Sequence, residues 1–251
     1  MKQHSRPELI EEHRPDAIKA RLRQRAKVHY LPDGVLGAID GCVTTFAAVS
    51  GAVGAGFPSL VALVLGFANL VADGFSMAVS NYQSARTQKE YLEQSRRTEQ
   101  VHIEQVPEGE REEIRQIYRE KGFAGDTLER IVETITKDRD VWIDTMLTDE
   151  LGLQRIPRDP LKSAVVTFLA FVSVGVAPLL PFFSKSWSAN AQFGMSVVLA
   201  AGMFCAIGMV KGRVLGKPMI SAAVSTLLTG GGAAALAFLI GYLLRQTLGI
   251  S

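Results

Sequence analysis

The feature that most constrains this chain is the separation of its charges. They crowd into residues 1–33, 86–162 and 211–217, and long, nearly uncharged apolar tracts run between them. Five apolar runs, about 33–56, 58–82, 162–183, 190–210 and 218–244, each reach the roughly 20 residues needed to cross a hydrocarbon core of ~30 Å. The stretches Gly56-Phe57-Pro58-Ser59, 185–190 and 211–218 separate neighbouring runs. Nothing alternates with the two-residue period of a strand, so the expected fold class is an all-α membrane protein with five transmembrane helices. The totals, 47% hydrophobic and 21% charged, would also suit a soluble domain, so the distribution decides.

Orientation follows from the basic residues. With the N-terminus in the cytosol, all but two of the 27 lysines and arginines, Lys185 and Arg245, lie on the cytosolic side. The expected divisions are a basic cytosolic segment over 1–30, helices one and two over 31–83, a cytosolic helical insert over 84–158, and helices three to five over 159–251. The C-terminus then lies on the opposite side. The leader is polar and basic, unlike a cleavable signal. Its part from Asp16 to Val28 reads either as a helix along an anionic membrane surface or as a solvated stretch that sets topology. Cys42 and Cys205 both sit in apolar tracts, which argues against a disulfide framework and a cysteine metal site.

Within the first two runs lie residues that lipid does not tolerate cheaply. Asp33 and Asp40 are two helical turns apart on one face of span one, and Asn69, Asp73 and Met77 form a stripe along span two. An acid at membrane depth costs at least a few kcal/mol, so it usually faces a pathway or a partner. At about 1.5 Å per residue, Asp40 lies roughly 10 Å inward from Asp33, while Asp73 and Met77 lie roughly 13 Å and roughly 8 Å inward from Tyr82. Asp40, Asp73 and Met77 are therefore expected to share a layer. Carboxylates beside a thioether suit Fe²⁺ or Mn²⁺ better than Mg²⁺ or Ca²⁺. Asp33 has two readings, a helix N-cap at the interface or a gateway to the path, and a lone Met77 would also fit simple packing. Gly37 and Gly41, like Gly208 and Gly212, have the spacing that lets helix backbones approach, within one chain or across a dimer. The Gly230-Gly231-Gly232 run predicts a kink or a close contact.

The insert reads as three helices, about 84–105, 108–121 and 126–149, with Pro107 opening the second and Asp126 or Thr127 capping the third. Glu99 and His102 share a helical face, as do Glu110 and Glu113, and Met146 and Glu150 form a third pair. Three such pairs could converge on metal ions through carboxylate, imidazole and thioether groups. Solvated surface faces are the competing reading, since Arg96, Arg97, Arg111 and Arg115 lie nearby. Glu104, Glu108 and Glu112 are plausible neighbours that spacing alone does not rank.

Taken together, the Asp33-Gly34 and Asp40-Gly41 pairs of span one, the Ala72-Asp73-Gly74-Phe75-Ser76-Met77 segment and the insert ending in Thr145-Met146-Leu147-Thr148-Asp149-Glu150 resemble the vacuolar iron transporter family over nearly the whole chain. The resemblance implies a homodimer of five-helix protomers with a path between the two first helices. It implies movement of Fe²⁺, and often Mn²⁺ or other divalent metals such as Zn²⁺, out of the cytosol in exchange for protons. Its path residues fall here on Asp33, Asp40 and Met77, and its insert ligands on Glu99, His102, Glu110, Glu113, Met146 and Glu150. Two positions depart from the family pattern: His102 and Asn69 each stand where a glutamate is expected. Imidazole remains a good ligand that titrates near neutrality, whereas Asn69 cannot carry a proton, which leaves Asp73 for that role.

The leading expectation is thus a transporter rather than an enzyme: an Fe²⁺ and Mn²⁺ exporter driven by proton antiport. Its partners are a second copy, the bilayer, divalent metals and protons, with no nucleic acid, in a plasma or vacuole-type membrane. Two rivals are a membrane-anchored ferritin-like ferroxidase, for which Glu99-x-x-His102 supplies one Glu-x-x-His element where two are needed, and a metal-sensing membrane protein.

Overall fold

The computed structural model describes residues 6–23, 29–153 and 157–248, all helical or irregular, with no strand among them. Two short helices, α1 (Arg6–Glu12) and α2 (Pro15–Arg23), precede α3 (Leu31–Gly54) and the long α4 (Ser59–Gln105). Then come α5 (Pro107–Glu120), α6 (Gly125–Thr136), α7 (Arg139–Thr145), α8 (Pro160–Gly175), α9 (Ala189–Leu215) and α10 (Met219–Leu248). The part of the expected leader helix beyond Arg23 lies outside the described residues. The chain forms two compact units, one of 1–82 with 161–251 and one of 83–160, and α4 passes from the first into the second.

In the larger unit α3, α4, α9 and α10 are each long and apolar enough to cross a membrane. Half of the apolar window of α3 is buried within the chain, against 17–28% for the other three, so α3 is the element around which this unit packs. Small residues make that possible. A Cβ at Gly37 or Gly41 would run into the backbone carbonyls of Thr167 and Phe171 on α8, and one at Gly241 of α10 would strike the carbonyl of Gly51. The Gly37–Gly41 pair therefore seats α8 against α3 within one chain. Gly230 lies beneath the ring of Phe204, a close contact without a kink, since α10 runs unbroken.

Span three differs from its expectation as one helix over 162–183. The α-helix ends at Gly175, and a 3₁₀ segment over Ala177–Phe183 continues at an angle of 41°. Pro178 and Pro181 lack the amides an α-helix needs, and their rings clash with the preceding turn. Carbonyls around this bend find side-chain donors on α9: Ser196 Oγ donates to Pro178 at 2.7 Å, and Gln192 Nε2 to Ser184 at 2.7 Å. With the bent pair counted as one, the spans number up to five.

The smaller unit packs around Ile103, Ile114, Leu128, Val132, Ile135, Trp142, Ile143, Met146 and Leu147. Here too one expectation fails. The stretch 126–149 is not a single helix but breaks after Thr136, because the Asp138 carboxylate accepts from the amides of Asp140 and Val141 at 3.0 and 3.2 Å and caps a new helix, α7. The N-cap of α6 is Ala124 without a side-chain bond, and Asp126 sits in the first turn instead. After α7 the chain widens into a π-helical turn over Met146–Glu150.

Candidate metal centre and membrane acids

In the smaller unit Glu99 and His102 project from the last turns of α4, and Glu110 from the first turn of α5; Pro107 at the start of α5 turns the chain back between them. One ligand atom from each lies within 4.8 Å of the other two. His102 Nδ1 is 3.3 Å from Glu110 Oε1. Glu99 and Glu110 are only 4% and 3% exposed, while the His102 side chain is 50% exposed, so solvent reaches the group through the imidazole. One oxygen of each carboxylate, Glu99 Oε2 and Glu110 Oε2, is buried with no hydrogen-bond donor among the described residues. Buried polar atoms are nearly always satisfied. A proton or a cation would satisfy two such oxygens.

The electrostatics agree. Burial pushes Glu110 up from 4.5 to about 7, helped by the charges of Glu113, Glu99 and Glu150 and opposed by His102. Burial also raises Glu99, with His102 opposing and Glu113 adding to the rise, and it raises Glu150, helped by Glu99 and Glu113 and opposed by His102. Of the six ligands expected in the insert, three thus share one cluster, and Glu113 and Glu150 lie within electrostatic reach of it. Met146, fully buried, sits in the apolar core with Ile114 and Trp142, at the opposite end of the π turn from Glu150. The neighbours that spacing could not rank separate cleanly: Glu104 pairs with Arg139, Glu112 with Arg115, and Glu108 with Arg111 at 3.8 Å. These are surface ion pairs. A carboxylate, carboxylate and imidazole set suits a divalent transition metal.

In the larger unit Asp33 is not the N-cap of α3. Tyr30 holds that position, and Asp33 lies in the first turn, 2% exposed. Its Oδ1 accepts from Asn81 Nδ2 at 3.1 Å. The same amide donates to Thr167 Oγ1 at 2.7 Å and reaches the Ser163 carbonyl at 3.4 Å, while Thr167 Oγ1 donates to the Asp33 carbonyl at 3.4 Å. Asn81 and Thr167 were not singled out from sequence. A signal existed, since Asn81 extends the four-residue spacing of Asn69, Asp73 and Met77 by one more step. Asp40 and Asp73, both half-buried, are near enough to interact electrostatically. Met77 packs partly buried against the cluster that contains Leu70 and Phe171, and Asn69 keeps a buried Nδ2 without an acceptor among the described residues.

Long apolar helices that carry carboxylates, together with a second unit whose carboxylates converge on an imidazole, define a multi-pass membrane protein equipped to handle cations. The sequence profile of the VIT family matches residues 31–242. A vacuolar iron transporter of Toxoplasma gondii is 32% identical over 229 residues, covering 88% of this chain and 76% of the relative. Vacuolar iron transporter 1 of Oryza sativa subsp. japonica is 32% identical over 208 residues, 82% of each chain, and that of Arabidopsis thaliana 29% over 207, again 82% of each. The chain belongs to the VIT family. Its relatives are transporters and not enzymes, so the ferroxidase reading falls.

Proposed function

We propose that this protein moves Fe²⁺, and Mn²⁺ with it, out of the cytosol in exchange for protons, as a homodimer in a vacuole-type membrane. The observation that carries this reading is the pair Asp40 and Asp73, two carboxylates on membrane-spanning helices, with Asp73 near enough for its charge to act on Asp40. Two neighbouring acids in a medium that penalises charge are relieved by one divalent cation or by protons. Alternation between those two occupants is antiport. Asp40 and Met77 of both subunits would hold the metal, with Asp73 beside them as the proton-carrying group that Asn69 cannot be. Glu99, His102 and Glu110, with Glu113, Met146 and Glu150 around them, would collect metal on the cytosolic side, and Asp33 would admit it. Names of relatives that specify iron and vacuole support the cargo and the membrane.

The deciding experiment is uptake into proteoliposomes loaded with a pH dye, with Fe²⁺, Mn²⁺, Zn²⁺ and Ca²⁺ supplied in turn. Fe²⁺ or Mn²⁺ entry matched by proton exit is expected, and Asp40→Asn should abolish both while the protein keeps its fold and oligomeric state. Normal flux through Asp40→Asn would overturn the mechanism. Metal entry without proton movement would reduce it to a uniporter.

A further inference from the structure

The junction of α9 and α10 plays no part in the sites above, and its charge is unbalanced. Helix α9 ends at Leu215, where Gly216 takes a left-handed conformation (φ 65°) and the Lys217 amide bonds back to the Gly212 carbonyl at 2.9 Å. The turn brings Lys211 and Lys217 together with Ser221 and Ser225 of α10 around a cavity of about 190 Å³. From residue 160 to the end of the sequence there is no aspartate or glutamate. Among the described residues, no ion pair engages Lys211 or Lys217, and no hydrogen bond engages the hydroxyls of Ser221 and Ser225. Two cations and two hydroxyls therefore line a hollow that no anion among the described residues fills.

A second hollow, of about 360 Å³, adjoins the first and shares Lys211 and Leu215 with it. Its remaining wall is apolar, with Pro32, Val35 and Ile39 of α3 facing Val214 of α9. One continuous surface is thus cationic and hydroxylic at one end and greasy at the other, beside helices long enough to cross a membrane. An anion alone would use only the first part, and an apolar segment only the second. A copy of this chain docking through the same surface would set the same lysines against each other.

We propose that this paired hollow binds an anionic phospholipid of the surrounding bilayer, with the phosphate at Lys211, Lys217, Ser221 and Ser225 and an acyl chain along the α3–α9 groove. Basic residues at the membrane surface attract anionic headgroups, and lysine stems cover apolar surface while the ammonium meets the phosphate.

The test uses the full-length protein in detergent, titrated separately with dioctanoyl phosphatidic acid, dioctanoyl phosphatidylcholine and inorganic phosphate, and read by thermal unfolding. Phosphatidic acid should raise the Tm saturably, while phosphatidylcholine and inorganic phosphate at equal concentration should not. The Lys211→Gln/Lys217→Gln variant should need roughly 25-fold more phosphatidic acid, about fivefold for each lysine. If that variant does not fold, Lys217→Gln and Ser221→Ala alone serve, each shifting the half-point by about fivefold or less. Identical titrations in wild type and variant would overturn the proposal, as would an equal response to phosphatidylcholine. An equal response to inorganic phosphate would make this a free-anion site, and a loss of oligomeric mass in the lysine variant would make it an interface between copies.

Discussion

The two units of this protein keep buried carboxylates by opposite means. In the larger unit the Asp33 carboxylate accepts from the neutral Asn81 amide, which also donates to Thr167. In the smaller unit Glu99 and Glu110 face other acids and one half-exposed imidazole, and burial outweighs what that imidazole gives back. The difference teaches what each arrangement can exchange. A carboxylate oxygen bonded to a neutral amide is held in place by it. One crowded by like charges trades its proton readily for a metal ion.

The largest test of this contrast is Glu99→Gln/Glu110→Gln, which removes both unsatisfied charges. Metal affinity of the full-length protein should fall by at least about 100-fold, since each of the two lost charge-assisted contacts is worth about 1.5–3 kcal/mol. Isothermal titration with Mn²⁺ would read it, and unchanged affinity would break the comparison. The apo protein carries a matching pH signature. Glu110 binds its proton more tightly folded, near 7, than its ordinary 4.5. Its fold is therefore least strained below about 4.5 and loses on the order of 3 kcal/mol as pH rises from there through 7. Hydrogen exchange over residues 99–118, corrected for intrinsic rates, should show more protection at pH 5 than at pH 8, and Glu110→Gln should remove most of the difference.

Breaking the frame of the larger unit comes next. Gly41→Val places a branched side chain against the Phe171 carbonyl, with the Phe171 Cα only 2.8 Å from the new Cβ. It should lower stability by about 1–3 kcal/mol, visible as an earlier melt in detergent. Asn81→Leu sharpens the comparison at its fixed end. It should cost about 1–2 kcal/mol by leaving the buried Asp33 carboxylate without its amide donor, and it should raise the KM for metal while insert binding stays intact. An unchanged KM would make Asn81 a packing residue only. The smallest effect belongs to Glu104→Ala, which breaks an exposed pair with Arg139. It should change stability by no more than about 0.5 kcal/mol and leave Mn²⁺ affinity alone, in contrast to Glu99 five residues earlier.

That contrast also marks what was legible in the sequence. Run length alone gave the long helices, because twenty apolar residues have few other uses, and i,i+3 spacing put Glu99 beside His102. That Glu110 joins them, while Glu104 turns to Arg139, depends on how α5 folds back at Pro107 and where α7 lies, and neither is written in local spacing. Asp138 looked like one more acid in a helical stretch until its carboxylate capped α7. Pro178 and Pro181 did signal the bend in span three, but the apolar run around them read more loudly than they did. Asn81 stood in plain view at the end of a stripe already recognised.

The π turn from Met146 to Glu150 alters how that part of the chain should be counted. Its hydrogen bonds close five residues on, as the Leu151 amide does onto the Met146 carbonyl at 3.1 Å. In an α-helix, residues four apart stand one above the other. Here the winding is slacker, so the step from Met146 to Glu150 stops just short of a full revolution where an α-helix would pass just beyond it. The extra residue works as a phase shift. It lets the thioether stay in the apolar core while the carboxylate, within the same turn, comes within reach of Glu99 and Glu113.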